Sequence, residues 1–407
     1  MQSASSRFLD RSTPPHIATL ILLTALSTMG MNVFLPSLPG MSEYFGTEYR
    51  ILQLSVGIYL GASAALQILI GPISDQMGRR PVLLWGLFFF MLATLGCLFA
   101  PNATVFLLFR MCQAMVAVGM VLGRAAVRDM YDTEKAASMI GYVTMVMALV
   151  PMAAPAIGGY LDQAFGWKAN FWLLFGAGAL VWLVTWLDFR ETKSRSGLTI
   201  GQQFAQYPEL FRSPRFWGYT VTAALVSGAF FAYLGGGPFV GSQVFGMAPG
   251  TVGLFLGAPA VGYAVGNGLS GLLSQRIGTN RMIMMGCAVA AFGVGASLLL
   301  FLTGYGTAYI FFGFMTFVGL GNGMTLPNAT AGMMSVRPHL AGTASGLGGA
   351  IMLAGGATLS ILAGNLLTLE SGPFPLLWMM FTTSVLGLVT MSFVMLRERQ
   401  VRREAGQ

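Results

Sequence analysis

Gly71-Pro72-Ile73-Ser74-Asp75-Gln76-Met77-Gly78-Arg79-Arg80-Pro81 is a short charged turn set between two long apolar runs. One run extends from about Ile51 to Ile73, the next from about Val82 to Ala100. Gly71 and Gly78 let helix backbones approach and let the chain reverse tightly. Asp75 falls where one helix ends, and Arg79 and Arg80 fall just before the next begins. Two arginines on so short a loop predict the cytoplasmic side of a membrane.

The residues around this turn support a polytopic membrane protein. The chain has 407 residues, 55% hydrophobic and 9% charged, whereas about a quarter of a soluble domain is charged. Its 54 glycines and 27 methionines suit helices packed closely in lipid. Apolar stretches of roughly 20 residues, enough to span a bilayer, fall near 17–39, 50–73, 82–100, 103–127, 136–160 and 168–188. Others follow near 216–240, 248–274, 281–302, 305–333, 340–368 and 374–396. Arg7 and Arg11 before the first run have the outline of a signal peptide. The run continues to about Pro39 without a small-residue cleavage pattern, so it reads as the first membrane helix.

Charge orders the twelve segments. Of 22 Lys and Arg residues, only Arg50 and Lys168 fall on the side opposite the termini, and only Arg110 and Arg124 fall within segments. This predicts both termini in the cytoplasm. The net charge of +8 is spread along short loops, which argues for a topology signal and against a nucleic-acid surface. Cys97, Cys112 and Cys287 lie in apolar segments without ligand-like spacing, and read as buried packing residues.

The expected architecture is all-α and integral to the membrane, with twelve helices in two pseudo-symmetric bundles. The first bundle is 1–189, a cytoplasmic linker is 190–215 and the second bundle is 216–407. The linker's middle, Leu198 to Phe211, is expected to lie along the membrane surface. The halves repeat weakly: Gly271-Leu272-Leu273-Ser274-Gln275-Arg276-Ile277-Gly278 echoes the opening turn, with Gln275 where Asp75 stands. Repeats of this kind place a substrate site at their interface, near the bilayer midplane.

The pattern G-x-x-S-D-x-x-G-R-R-P resembles the signature loop of the major facilitator superfamily, between its second and third helices. In segment five, Pro151 precedes Pro155-x-x-Gly158-Gly159, which resembles the motif marking drug/proton antiporters, with Ala154 where glycine is usual. Gln53-Leu54, Tyr59, Gln67, Gly71-Pro72, Leu35-Pro36, Leu38-Pro39 and Val127-Arg128-Asp129 resemble the Bcr/CflA subgroup. The resemblance is strongest over residues 25–160. It implies a monomeric exporter in the bacterial inner membrane that takes small drug-like compounds of the bicyclomycin, chloramphenicol, florfenicol or sulfonamide type. Protons are the implied counter-substrate, and no cofactor or metal is implied.

Arg110 is the sharpest single residue. It lies about seven residues into segment four, on the order of 10 Å below the surface. An arginine there costs several kcal/mol unless it meets water or a partner. It matches the arginine of the family motif in this helix, which the resemblance links to proton coupling. The alternative is an arginine snorkelling to the interface, and snorkelling is also the reading of Arg124. The subgroup pattern puts an aspartate where this chain has Asn32, which cannot exchange a proton in the physiological range. Coupling then runs through Asp75 or Asp129, or is lost. A positive centre without a buried acid predicts neutral or anionic substrates.

The resemblance further implies a latch of Gly71, Asp75, Gly78, Arg79, Arg80, Arg128 and Asp129. In it Asp75 caps the start of segment eleven and Arg79 pairs with the acid ending segment four. Ordinary solvated loop charges are the competing reading. For the cavity wall the expected residues are Tyr59, Met111, Gln113, Tyr142, Met145, Tyr233, Tyr263 and Asn267, polar-tipped, aromatic or pliable groups suited to varied ligands. Asn322 and Asn328 read equally as packing groups or ligands. A transporter of one endogenous metabolite remains open. A membrane-embedded enzyme is disfavoured, because no metal cluster, nucleophile–base arrangement or P-loop is visible.

Overall fold

A computed structural model describes residues 7–130, 139, 150–151, 153–192, 201, 207–337 and 340–404, with side chains to 398 except at 128, 341 and 342. Every element described is helical, and eleven of the helices are long and apolar enough to cross a membrane. They are α1 (Ile17–Tyr44), α2 (Tyr49–Met77), α3 (Arg79–Leu98), α4 (Ala103–Val127), α6 (Lys168–Asp188), α7 (Pro214–Val244), α8 (Pro249–Ile277), α9 (Thr279–Leu302), α10 (Ala308–Val336), α11 (Thr343–Leu366) and α12 (Phe374–Glu398). Helical residues 153–165 form α5, the last part of the expected fifth segment; most of its first part lies outside the described residues. The fold is thus the expected all-α membrane architecture in two six-helix bundles, α1–α6 and α7–α12.

Several spans are interrupted where local sequence forbids a regular helix. After Asn32, α1 loosens through a 3₁₀ turn at Leu35–Ser37, where Pro36 and then Pro39 remove amide donors. In α4 a 3₁₀ turn at Ala114–Val116 follows Gln113 directly. A π turn, Val240–Val244, closes α7 just after Pro238. Each break lies beside a contact described below, as tight or wide turns within helices often do.

Among the described residues one buried apolar cluster spans both bundles, and a second belongs to the second bundle with Ile68 of α2 packed against it. The first bundle's apolar cluster continues across into Phe239, Val240, Leu256, Phe311 and Leu367 of the second, at the end carrying the α1–α2 connection. At the opposite end, which carries the termini and the Gly78 turn, Phe216, Ile283, Met333, Leu340 and Val394 form a separate cluster. The bundles meet chiefly along α2 and α11. The described tail of the linker, Tyr207–Phe211, buries Tyr207 and Leu210 in that second cluster and holds Arg337 through Glu209 at 2.9 Å.

Candidate functional site

Arg110 is fully buried, which excludes snorkelling to the interface. Its guanidinium carbon lies 4.2 Å from the ring centroids of both Phe34 and Tyr59. A cation between two aromatic faces gains about 0.5–2 kcal/mol from each. Nη1 donates to Gln113 Oε1 at 2.6 Å, Gln113 Nε2 donates to Thr94 Oγ1 at 2.8 Å, and that hydroxyl donates to the Phe90 carbonyl. The centre therefore draws on α1, α2, α3 and α4 at once.

The breaks in α1 and α4 build this centre. Phe34 sits in the turn where α1 loosens, and Gln113 is the last residue before the 3₁₀ turn of α4. Ser27 donates to the Val116 carbonyl at 2.7 Å, joining α1 to that turn. Tyr59 donates to the Ser27 carbonyl at 3.3 Å. Asn32 is buried, its amide donates to the Thr28 carbonyl of its own helix at 2.7 Å, and its oxygen accepts nothing from Arg110. Among the described residues, Arg110 Nε and Nη2 and Asn32 Oδ1 have no hydrogen-bond partner, and no carboxylate lies within ion-pair distance of Arg110.

Other expected wall residues are scattered. Met111 is exposed on α4, in a row with Leu108, Phe109 and Cys112, where Arg110 is buried. Cys112 is therefore surface-facing, a correction to its reading as a buried packing residue, while Cys97 and Cys287 are buried. Tyr233 is also corrected. It is fully buried inside the second bundle, donates to the Phe255 carbonyl at 3.2 Å and packs against Phe311 and Phe312. Tyr263 and Asn267 lie one turn apart on α8, partly exposed, with the amide donating to the Tyr263 carbonyl at 2.9 Å. Asn322 and Asn328 pack helices, reaching Val226 and Ser270 respectively. Tyr142 and Met145 lie outside the described residues.

At the termini end, Gly78 has φ +96°, a conformation open to glycine and strained for other residues. Arg79 is buried beneath it. Nε donates to Asp129 at 2.8 Å, Nη1 to Ser74 Oγ at 2.8 Å, and Nη2 lies 3.4 Å from Asp75. Ser74 in turn donates to the Gly71 carbonyl. Glu191, which sequence reasoning missed, accepts from the amides of Arg79 at 2.8 Å and Arg80 at 3.1 Å. A carboxylate so placed satisfies free amides of the α3 N-terminus and faces its positive dipole end. The Arg80 guanidinium donates to the Trp186 carbonyl. Arg128 is helical, with its side chain outside the described residues.

The segment-five motif lies at the far end, between the bundles. A side chain at Gly158 would fall on the Val33 carbonyl of α1, and one at Gly159 on the Pro249 carbonyl of α8. Pro155 presents its own carbonyl to Gly253 of α8. Asn170 donates to Ser37 at 3.0 Å and to the Gly158 carbonyl at 3.1 Å, fixing α5 and α6 against the broken end of α1. Pro151 stands apart from these contacts, partly exposed.

Asp188, the last residue of α6, is a second carboxylate with no mark in the sequence. It is fully buried and accepts from Leu9 and His16 amides and the Thr19 hydroxyl, at 2.8, 2.9 and 2.6 Å. These bonds moor the segment before α1 and satisfy its first turn.

The Major Facilitator Superfamily profile matches residues 20–360. The chain is 30% identical to a chloramphenicol resistance protein of Pseudomonas aeruginosa over 93% of its own length and 91% of that protein's. It is 29% identical to multidrug resistance protein D of Escherichia coli K12, over 88% and 90% respectively. Among solved structures, a peptide transporter of the POT type in complex with sulfate superposes with a TM-score of 0.75 at 13% identity, covering 95% of each chain. The last likeness speaks to the fold.

Proposed function

The chain belongs to the major facilitator superfamily, a family of membrane transporters, and on that premise we propose a drug exporter. It moves small neutral or anionic amphiphilic antimicrobials across a bacterial inner membrane by alternating access between the bundles. The relatives named for chloramphenicol and multidrug resistance support the substrate class. The observation that carries the charge preference is Arg110, enclosed by Phe34 and Tyr59 with no carboxylate within ion-pair distance among the described residues. A cationic drug would meet uncompensated repulsion in a low-dielectric site, whereas a carbonyl, nitro or carboxylate group would accept its spare N–H groups.

The termini end faces the cytoplasm in this reading, in keeping with its arginines. Residues 1–189 and 216–407 are the rocking units, with 190–215 between them, and the monomer is the working unit. Protons exchange through Asp75 or Asp129, since Asn32 cannot carry one. In the state closed at the cytoplasmic end, Asp75 caps the start of α11 and the Arg79 cluster stiffens the turn that presents it.

The test is a susceptibility panel in a pump-deficient host. Expression is expected to raise resistance to chloramphenicol-like compounds and not to lipophilic cations, and Arg110→Ala is expected to abolish it. Resistance confined to cations would overturn the charge argument. In liposomes a pH gradient is expected to drive uptake of a transported drug, and no response to the gradient would exclude proton coupling. A second reading, export of one endogenous anion, is favoured by the unsatisfied Nε and Nη2 of Arg110; it predicts no broad resistance on overexpression.

A further inference from the structure

We infer that Gln53 is a positioning residue that keys the first bundle into the second at the far end, and that its half-satisfied amide keeps that closure reversible. The inference rests on the alternating-access reading above. Gln53 lies one turn into α2 and is fully buried. Nε2 donates to the Ser360 carbonyl of α11 at 2.8 Å. A Cβ at Gly235 of α7 would stand 2.7 Å from Nε2, and one at Gly364 of α11 would stand 2.5 Å from Oε1. The amide therefore fills a slot whose walls are the missing side chains of two helices of the other bundle.

The neighbouring turns of α2 follow the same face. Tyr49, four residues earlier, donates to the Gly235 carbonyl at 2.7 Å. Gly57, four residues later, leaves room for Ile361 of α11. Side chains four apart on a helix share a face, so Tyr49, Gln53 and Gly57 form one stripe against the second bundle.

The slot is not fully satisfied. Gln53 Oε1 and Ser360 Oγ are buried and have no hydrogen-bond partner among the described residues. A buried polar atom without a partner disfavours the state that buries it. When the far end opens, water reaches both atoms and removes that penalty. The closed state thus combines good steric fit with a built-in polar cost, which keeps the two states close in free energy.

Substitutions should then shift the equilibrium in opposite directions. Gln53→Ala removes the key and leaves a void, favouring the open far end. Gln53→Met keeps the length, removes the unsatisfied oxygen and is poorly hydrated when open, favouring the closed far end. Ser360→Ala removes the other unsatisfied oxygen, leaves the carbonyl acceptor in place and also favours closure.

The experiment is double electron–electron resonance on the full chain in nanodiscs, in a Cys112→Ala background. One label pair at Glu48→Cys and Glu370→Cys reports the far end, and another at Met77→Cys and Ser335→Cys reports the termini end. In the otherwise unchanged protein the two distances are expected to move in opposite senses when chloramphenicol is added; if they do not, the alternating-access premise fails whatever Gln53 does. With that premise intact, Gln53→Ala should raise the open-to-closed ratio at the far end about fivefold, and Gln53→Met and Ser360→Ala should lower it by about as much. Should Gln53→Ala fail to fold, the latter two still decide the matter. No shift in those two, or a shift toward the open far end, overturns the inference.

Discussion

The turn at 71–81 and its echo at 271–281 share a backbone and differ in everything placed around it. Gly78 has φ 96° and ψ 152°, and Gly278 has φ 90° and ψ 146°. Around the first, Arg79 is buried among Asp129, Asp75 and Ser74, and Glu191 closes the amides of α3. Around the second, Thr279 replaces the buried arginine and Asn280 bonds Glu398 and the Tyr219 hydroxyl. Arg215 lies 3.9 Å from Glu398, at the edge of a cavity of about 650 Å³. The reversal between helices thus needs only the glycine. In the proposed function the charges of the first turn form a latch, a role for which the second turn carries no counterpart.

The largest difference is expected from Arg79→Ala against Thr279→Ala. Removing Arg79 takes a charged donor from Asp129, Asp75 and Ser74, and because both carboxylates keep some exposure to solvent the cost should be about 1.5–3 kcal/mol. The threonine change should stay within about 0.5 kcal/mol. Thermal unfolding in detergent compares them, and equal losses would mean that the first cluster is no more structural than the second. Next come the glycines. Gly278→Ala adds a methyl with no heavy atom within 4 Å, so its cost is the backbone alone, about 1–3 kcal/mol. Gly78→Ala carries the same strain and drives the methyl into Glu191, so it should be the less stable of the two.

A smaller effect is expected for Glu191→Gln, which keeps an acceptor over the α3 amides but loses its charge. The cost should be about 0.5–1 kcal/mol, and it should shrink in high salt if the dipole interaction is the cause. Asp75→Asn should leave stability nearly unchanged while abolishing transport, and the matching Gln275→Asn should do neither. Full drug efflux by the Asp75 variant in everted vesicles would sink the latch.

Legibility in the sequence differed sharply between elements and partners. The first apolar run was expected to end at Pro39, and α1 continues to Tyr44 through the turn that the prolines impose. Arg110 stood out because a charge within an apolar run is conspicuous, and Tyr59 and Gln113 do join it. Phe34 and Thr94 did not stand out, since a phenylalanine and a threonine in membrane helices are ordinary until a fold brings them to a cation. Met111 follows Arg110 in sequence, but one residue along a helix is about 100° around it, and Met111 lies in an exposed row away from the buried guanidinium. Glu191 is one charge among several near the start of the linker, and Gln53 carries no charge to mark it.

Span lengths, apolar content and the glycine turn belong to a single stretch of chain, so the helices, their order and where they reverse are legible from local residues alone. Partnership between helices is another matter. Which atoms surround Arg110, which carboxylate closes α3 and which glycines receive Gln53 depends on residues as many as 311 positions apart, such as Gln53 and Gly364. Only the packed tertiary structure decided them, because burial turns an ordinary polar side chain into one that must find a partner.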